Sequence, residues 1–88
     1  MRTIKLEIEH IGTVRALHIY LAYMLDLPVY YGKNLDALYD VLCEVSEDMR
    51  IVLSGLPASE EMAEYLPRLE CVMGDAAREN EYVKFERA

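Results

Sequence analysis

Four acids recur at helical spacing within one stretch of the chain: Asp36, Asp40, Glu44 and Glu47. At about 100° per residue they fall within roughly 80° of arc. A stripe of Leu35, Leu38, Val41, Leu42 and Val45 lies opposite them. Tyr39 and Cys43 stand at the edge of the acidic face, and Tyr30 and Tyr31 lie in the segment leading into it. Such a row of carboxylates could hold a metal, exchange protons, pair with a partner's cations, or simply face water. Simple solvation fits poorly. Acids at i, i+4 repel by a few tenths of a kcal/mol per pair, and alternating Glu and Lys would serve solubility better. Aspartate is also a poorer helix former than glutamate. Asp36 can gain from the N-terminal helix dipole, but Asp40, in the second turn, cannot. A short, stiff carboxylate with an aromatic beside it resembles an interface anchor.

The catalytic alternatives are weak. An acid/base pair needs environments that push two pKa values apart, and an open helix face has no pocket to do so. Only two members of an i, i+4, i+8 row converge on one cation, so no metal site is expected. Cys43 lies among acids that disfavour its thiolate, and Cys43 and Cys71 lack zinc-site spacing. His10 sits near a strand end. His18 falls on a helix core stripe, where a buried histidine with a satisfied ring nitrogen is expected. Glycine-rich phosphate loops are absent. The chain reads as a binding protein and not an enzyme, with no catalytic residue and no cofactor.

The elements that must position this face follow from periodicity. Arg2–Glu9 alternates, with Ile4, Leu6 and Ile8 on one side, and reads as a strand. Thr13 caps a helix through Leu25 that is apolar nearly all round. Leu27-Pro28 ends it. Asn34 then caps the acidic helix, which should run to about Val45. Arg50–Leu53 reads as a short buried strand. Ser59 caps a further helix that Pro67 should divide into two short pieces. Tyr82–Glu86 alternates again. Strands separated by helices point to a parallel sheet with right-handed crossovers.

Composition bounds the rest. With 88 residues there is room for one domain. No apolar run approaches the roughly 20 residues of a membrane span, and no signal segment is visible. Nine basic against sixteen acidic residues give a net charge of −7, which repels phosphate backbones and argues against direct nucleic-acid binding. Residues 26–48 carry six acids against Lys33 alone, and residues 60–81 carry seven against Arg68 and Arg78. The acidity is thus patterned in two blocks, as suits a cationic partner. Two cysteines without an export signal read as reduced thiols in a cytoplasm.

The run Leu27-Pro28-Val29-Tyr30-Tyr31-Gly32-Lys33-Asn34-Leu35-Asp36-Ala37-Leu38-Tyr39-Asp40-Val41-Leu42 resembles the central motif of the barstar family, intracellular inhibitors of the ribonuclease barnase. Its Tyr-Tyr-Gly-x-Asn-Leu-Asp-Ala-Leu core is the most specific part. The resemblance implies one barstar-like α/β domain over residues 1–88, a three-stranded parallel sheet packed against three to four helices. It implies a cytoplasmic inhibitor that plugs the active site of a barnase-type extracellular or toxin ribonuclease. Asp40 would be the principal mimic of RNA phosphate and Asp36 would pair with further cations. Tyr30 would lie against the catalytic histidine, with Asn34, Leu35, Tyr39, Cys43 and Glu44 lining the contact. Asp75 would correspond to a further acid on the last helix. The chain departs from barstar at Tyr39, where barstar has tryptophan, and at Cys43 and Glu44, where it has threonine and glycine.

Two other readings stay open. A barstar-like module could serve a different basic partner. Alternatively Ala16, Ile19, Tyr20 and Tyr23 on the first helix could join two copies into a homodimer.

Overall fold

Alternation along the first strand decides which side of the sheet is covered. In β1 (Arg2–Glu7), Ile4 and Leu6 are buried while Thr3, Lys5 and Glu7 are exposed. The computed structural model describes residues 2–88. After β1 come α1 (Val14–Met24), α2 (Leu35–Cys43), β2 (Met49–Ser54), α3 (Glu60–Glu79) and β3 (Val83–Arg87). The three strands form one parallel sheet in the order β1-β2-β3, with Ile4 opposite Ile51 and Ile51 opposite Phe85. The protein is therefore α/β with three parallel strands and three helices. Leu6, Ile51, Leu53 and Val83 meet Leu17, Leu21, Leu38, Leu42, Leu69 and Met73 from the helices in one apolar core.

The other side of the sheet is polar. Thr3, Arg50 and Lys84 stand in register across it, and Lys5 and Glu86 flank Val52. Five of the nine basic residues (Arg2, Lys5, Arg50, Lys84, Arg87) lie on strands, against only two strand acids, Glu7 and Glu86. The strands are thus at +3, and the helices and loops together at −10.

Each helix starts where its capping side chain sits. Thr13 accepts from the Ala16 amide at 3.1 Å, Asn34 from Ala37 at 2.8 Å and Ser59 from Met62 at 3.1 Å. The starts of α1 and α3 are also tied together. The Glu61 carboxylate accepts from the Val14 amide at 2.6 Å, and the Ser59 hydroxyl donates to the Gly12 carbonyl at 2.7 Å. A carboxylate at that helix N-terminus satisfies an otherwise orphaned donor and meets the favourable end of the dipole.

Several element ends differ by one residue from the periodicity reading, and three departures are larger. Pro67 does not divide the last helix: α3 runs unbroken from Glu60 to Glu79 with the proline inside it. The ring removes only the bond that Ala63 would accept, and both residues are exposed, so water can take the carbonyl. Meanwhile Met62, Leu66, Leu69 and Met73 hold both halves on the core. Replacing Pro67 with alanine restores that bond without touching the core. Urea unfolding should then show Pro67→Ala more stable by about 1–2 kcal/mol, the interior-proline penalty less what proline gains by stiffening the unfolded chain.

Secondly, β1 ends at Glu7, although Ile8 remains buried and its amide still reaches the Ser54 carbonyl at 3.1 Å. Thirdly, α2 ends at Cys43 with Glu44 as its C-cap, which leaves Val45 and Glu47 beyond the helix. Asn80, just past α3, is the reason. Its side-chain amide donates to the carbonyls of both Leu42 and Val45 at 2.9 Å, and its oxygen accepts from the Tyr82 amide at 3.0 Å.

Candidate functional site

The loop between α1 and α2 turns through two residues in the left-handed region, Asp26 (φ 53°) and Lys33 (φ 55°). The Tyr31 amide donates to the Pro28 carbonyl at 2.9 Å, and the Asn34 side chain donates to the Gly32 carbonyl at 3.2 Å. A Cβ on Gly32 would come within 3.2 Å of the Ala37 Cβ, so the loop lies tight against the first turn of α2. The two adjacent tyrosines point opposite ways: Tyr31 is 6% exposed and Tyr30 is 76% exposed.

Tyr31 is buried against His18 of α1, itself 1% exposed. The Tyr31 hydroxyl is 2.6 Å from His18 Nδ1, and the Tyr65 hydroxyl of α3 is 2.7 Å from Nε2. The guanidinium of Arg68 lies over the Tyr65 ring at 5.3 Å. His18 is thus the satisfied core histidine its stripe position suggested. Burial holds it below the usual histidine range and pushes the Tyr31 phenol well above the tyrosine range, with Tyr65 adding to the second shift.

A lowered histidine pKa has a definite sign for stability. Above about pH 6.5 the imidazole is neutral both folded and unfolded. As pH falls through that value toward the lowered folded-state value, the unfolded chain takes up the proton first and stability drops. Urea melts from about pH 8 to about pH 5.5 should show this decline, and His18→Gln should flatten it.

On α2 the outer face is as its spacing suggests. Asp36 and Asp40 are exposed, with Leu35 and Tyr39 half-buried beside them and Asn34 exposed at the cap. Among the described residues no cation pairs with Asp36, Asp40 or Glu44; the salt bridges join Arg50 to Glu86, Arg78 to Asp75 and Arg87 to Glu70. The Tyr39 phenol is held above its ordinary range, first by a side-chain hydrogen bond to Cys43, then by partial desolvation and the nearby Cys43, Glu79 and Asp75 groups. The helices α2 and α3 pack against each other, which leaves Asp75 and Glu79 of α3 near enough to act on Tyr39.

Glu79 joins them, although periodicity within α2 had no means to include it. Its signal is the i, i+4 spacing from Asp75, which becomes informative once α3 is known to pack beside α2.

The remaining residues sit at the two ends of the face. Leu35 and Asp36 border an open groove of about 440 Å³ completed by Pro67, Arg68, Cys71 and Val72. Glu44 borders a second depression of about 300 Å³ with Asp26, Glu47 and Asp48, at the far end of α2. Glu47 is separated from the helical row, contrary to its expected place in the arc, because α2 has already ended.

Chemically the face can accept hydrogen bonds from several cations at once. Among the described residues no cluster of three or more His, Cys, Asp or Glu is arranged to hold a metal ion. None of the described helices is long and apolar enough to cross a membrane. The first helix leaves Ile19 at 50% and Tyr23 at 84% exposure, while Tyr20 turns inward and its hydroxyl accepts from the Glu7 amide at 2.9 Å. A family model described as Barstar (barnase inhibitor) matches residues 1–87. No curated protein matches the chain.

Proposed function

The chain belongs to the barstar family, and from that premise we propose that it inhibits a barnase-type extracellular or toxin ribonuclease by filling its active site. The observation that carries this reading is a row of exposed carboxylates on α2, Asp36 and Asp40, that no cation of the described chain neutralises. Arginine recognises carboxylate and phosphate with the same planar fork, so a helix presenting two such groups can occupy positions that bind RNA phosphates. Asp40, mid-helix, is the principal phosphate mimic, and Asp36 engages further cations at the groove end. Tyr30 lies against the catalytic histidine of the enzyme. Asn34, Leu35, Tyr39, Cys43 and Glu44 line the contact, and Asp75 and Glu79 add acid from α3.

The protein acts by binding and catalyses nothing. It works in the cytoplasm as an immunity partner, in contact with the ribonuclease and not with nucleic acid or membrane. Titrating a purified barnase-type ribonuclease with the protein tests this directly. Activity should vanish at one-to-one stoichiometry, with association slowed by moderate salt as the charges are screened. Residual activity at excess inhibitor would move the reading to a barstar-like module for another basic partner.

Exposure of Ile19 and Tyr23 favours a second reading, a homodimer through α1. Light scattering across a hundredfold dilution separates the two. A constant monomer mass removes the dimer.

A further inference from the structure

We infer that His18, Tyr31 and Tyr65 form a positioning strut that sets the direction in which Tyr30 and the start of α2 are presented to the ribonuclease. The inference rests on the inhibitory reading above and adds a role for residues that touch no partner. Its basis is the contrast between neighbours: Tyr31 is buried and doubly held, by its amide to Pro28 and its hydroxyl to His18, while Tyr30 projects into solvent. Three residues after Tyr31, Asn34 caps α2. Where Tyr31 is anchored therefore decides where both Tyr30 and the first turn of α2 begin.

Packing alone does not need this chemistry. An apolar side chain at position 18 would fill the same space without burying two ring nitrogens, so the polar contacts are a directional device. A neutral imidazole has one donor and one acceptor. Tyr31 and Tyr65 take one each, in either tautomer, and no described buried side-chain polar atom lacks a partner. The strut reaches from α1 to the loop on one side and to α3 on the other. It links the loop to the helix that carries Asp75 and Glu79.

Tyr31→Phe and Tyr65→Phe separate direction from stability. Both lose one hydroxyl contact to His18, but only the first frees the loop. At a temperature where thermal melts show all proteins folded, Tyr31→Phe should weaken inhibition about tenfold through faster dissociation, and Tyr65→Phe less than about threefold. In a Tyr30→Ala background the effect of Tyr31→Phe should shrink by at least about twofold, since one of the two groups it positions is gone. Equal affinity of Tyr31→Phe and wild type would overturn the inference, as would an unchanged loss in the Tyr30→Ala background. Amide exchange on the free protein decides the same point without a ribonuclease. Amides of residues 29–34 should exchange at least about tenfold faster in Tyr31→Phe while strand amides hold. Unchanged loop exchange would also overturn it. Failure of wild-type inhibition, with the exchange result as expected, would instead count against the inhibitory reading.

Discussion

Asp40→Ala is expected to weaken inhibition of a barnase-type ribonuclease by roughly a hundredfold to a few thousandfold, while Glu47→Ala stays within about fivefold. The larger figure follows from removing one member of a desolvated ion pair, which costs about 3–5 kcal/mol because the remaining charge is left buried and unpaired, at 1.4 kcal/mol per factor of ten. Asp40 has the position for such a pair, exposed in the middle of α2 with Tyr39 beside it and Asp36 one turn back. Glu47 lies beyond the end of the helix and would meet a partner at the rim, where exposed ion pairs contribute about 0–1 kcal/mol. Steady-state inhibition at moderate salt measures both. Asp40→Ala should melt no lower than wild type, because its side chain is exposed and alanine favours the helix, so a loss of affinity reads as a lost contact. Equal losses for the two variants would mean that the face works as diffuse charge.

Asn80→Ala should lower stability by about 3 kcal/mol, which for a chain of this size is roughly 12–24 °C in Tm. One side chain serves three backbone groups: the carbonyls of Leu42 and Val45 and the amide of Tyr82. Alanine leaves all three without that partner, at a position that is only 8% exposed. Asn80→Asp should be worse still, since a carboxylate would face two carbonyls that need a donor. Differential scanning calorimetry of the three proteins checks the order. A loss below about 1 kcal/mol for Asn80→Ala would mean that water replaces the amide. The two expectations meet on α2, whose outer face Asp40 occupies and whose end Asn80 closes.

Local physics explains what could be read from the chain before its structure. Thr13, Asn34 and Ser59 each bond an amide three residues on, so their capping role needs no knowledge of the fold. The acidic face of α2 follows from spacing in the same way. Pro67 and Asn80 behave otherwise. A proline inside a helix reads as a break, yet core residues on both sides of Pro67 carry α3 through it. Asn80 carries no periodic signal of its own, yet its amide acts on carbonyls 35 and 38 positions away, which shortens α2 and removes Glu47 from the row. Glu79 and Asp75 have helical spacing in the sequence. Their closeness to Tyr39 depends on which side of α3 turns toward α2, and that is settled by packing.

The one-sided sheet has a last consequence. Its strands carry +3 and the rest of the molecule −10, so the protein has a permanent electric moment with its negative end among the helices. In the field of a positively charged enzyme such a body feels a torque as well as a pull. It turns before it touches, and a larger share of collisions begins with α2 leading. On the proposed inhibitory reading, the basic residues of the strands contribute to recognition without having to touch the partner. Acidic substitutions there would slow encounter by spoiling the alignment, even though they make the whole chain more negative.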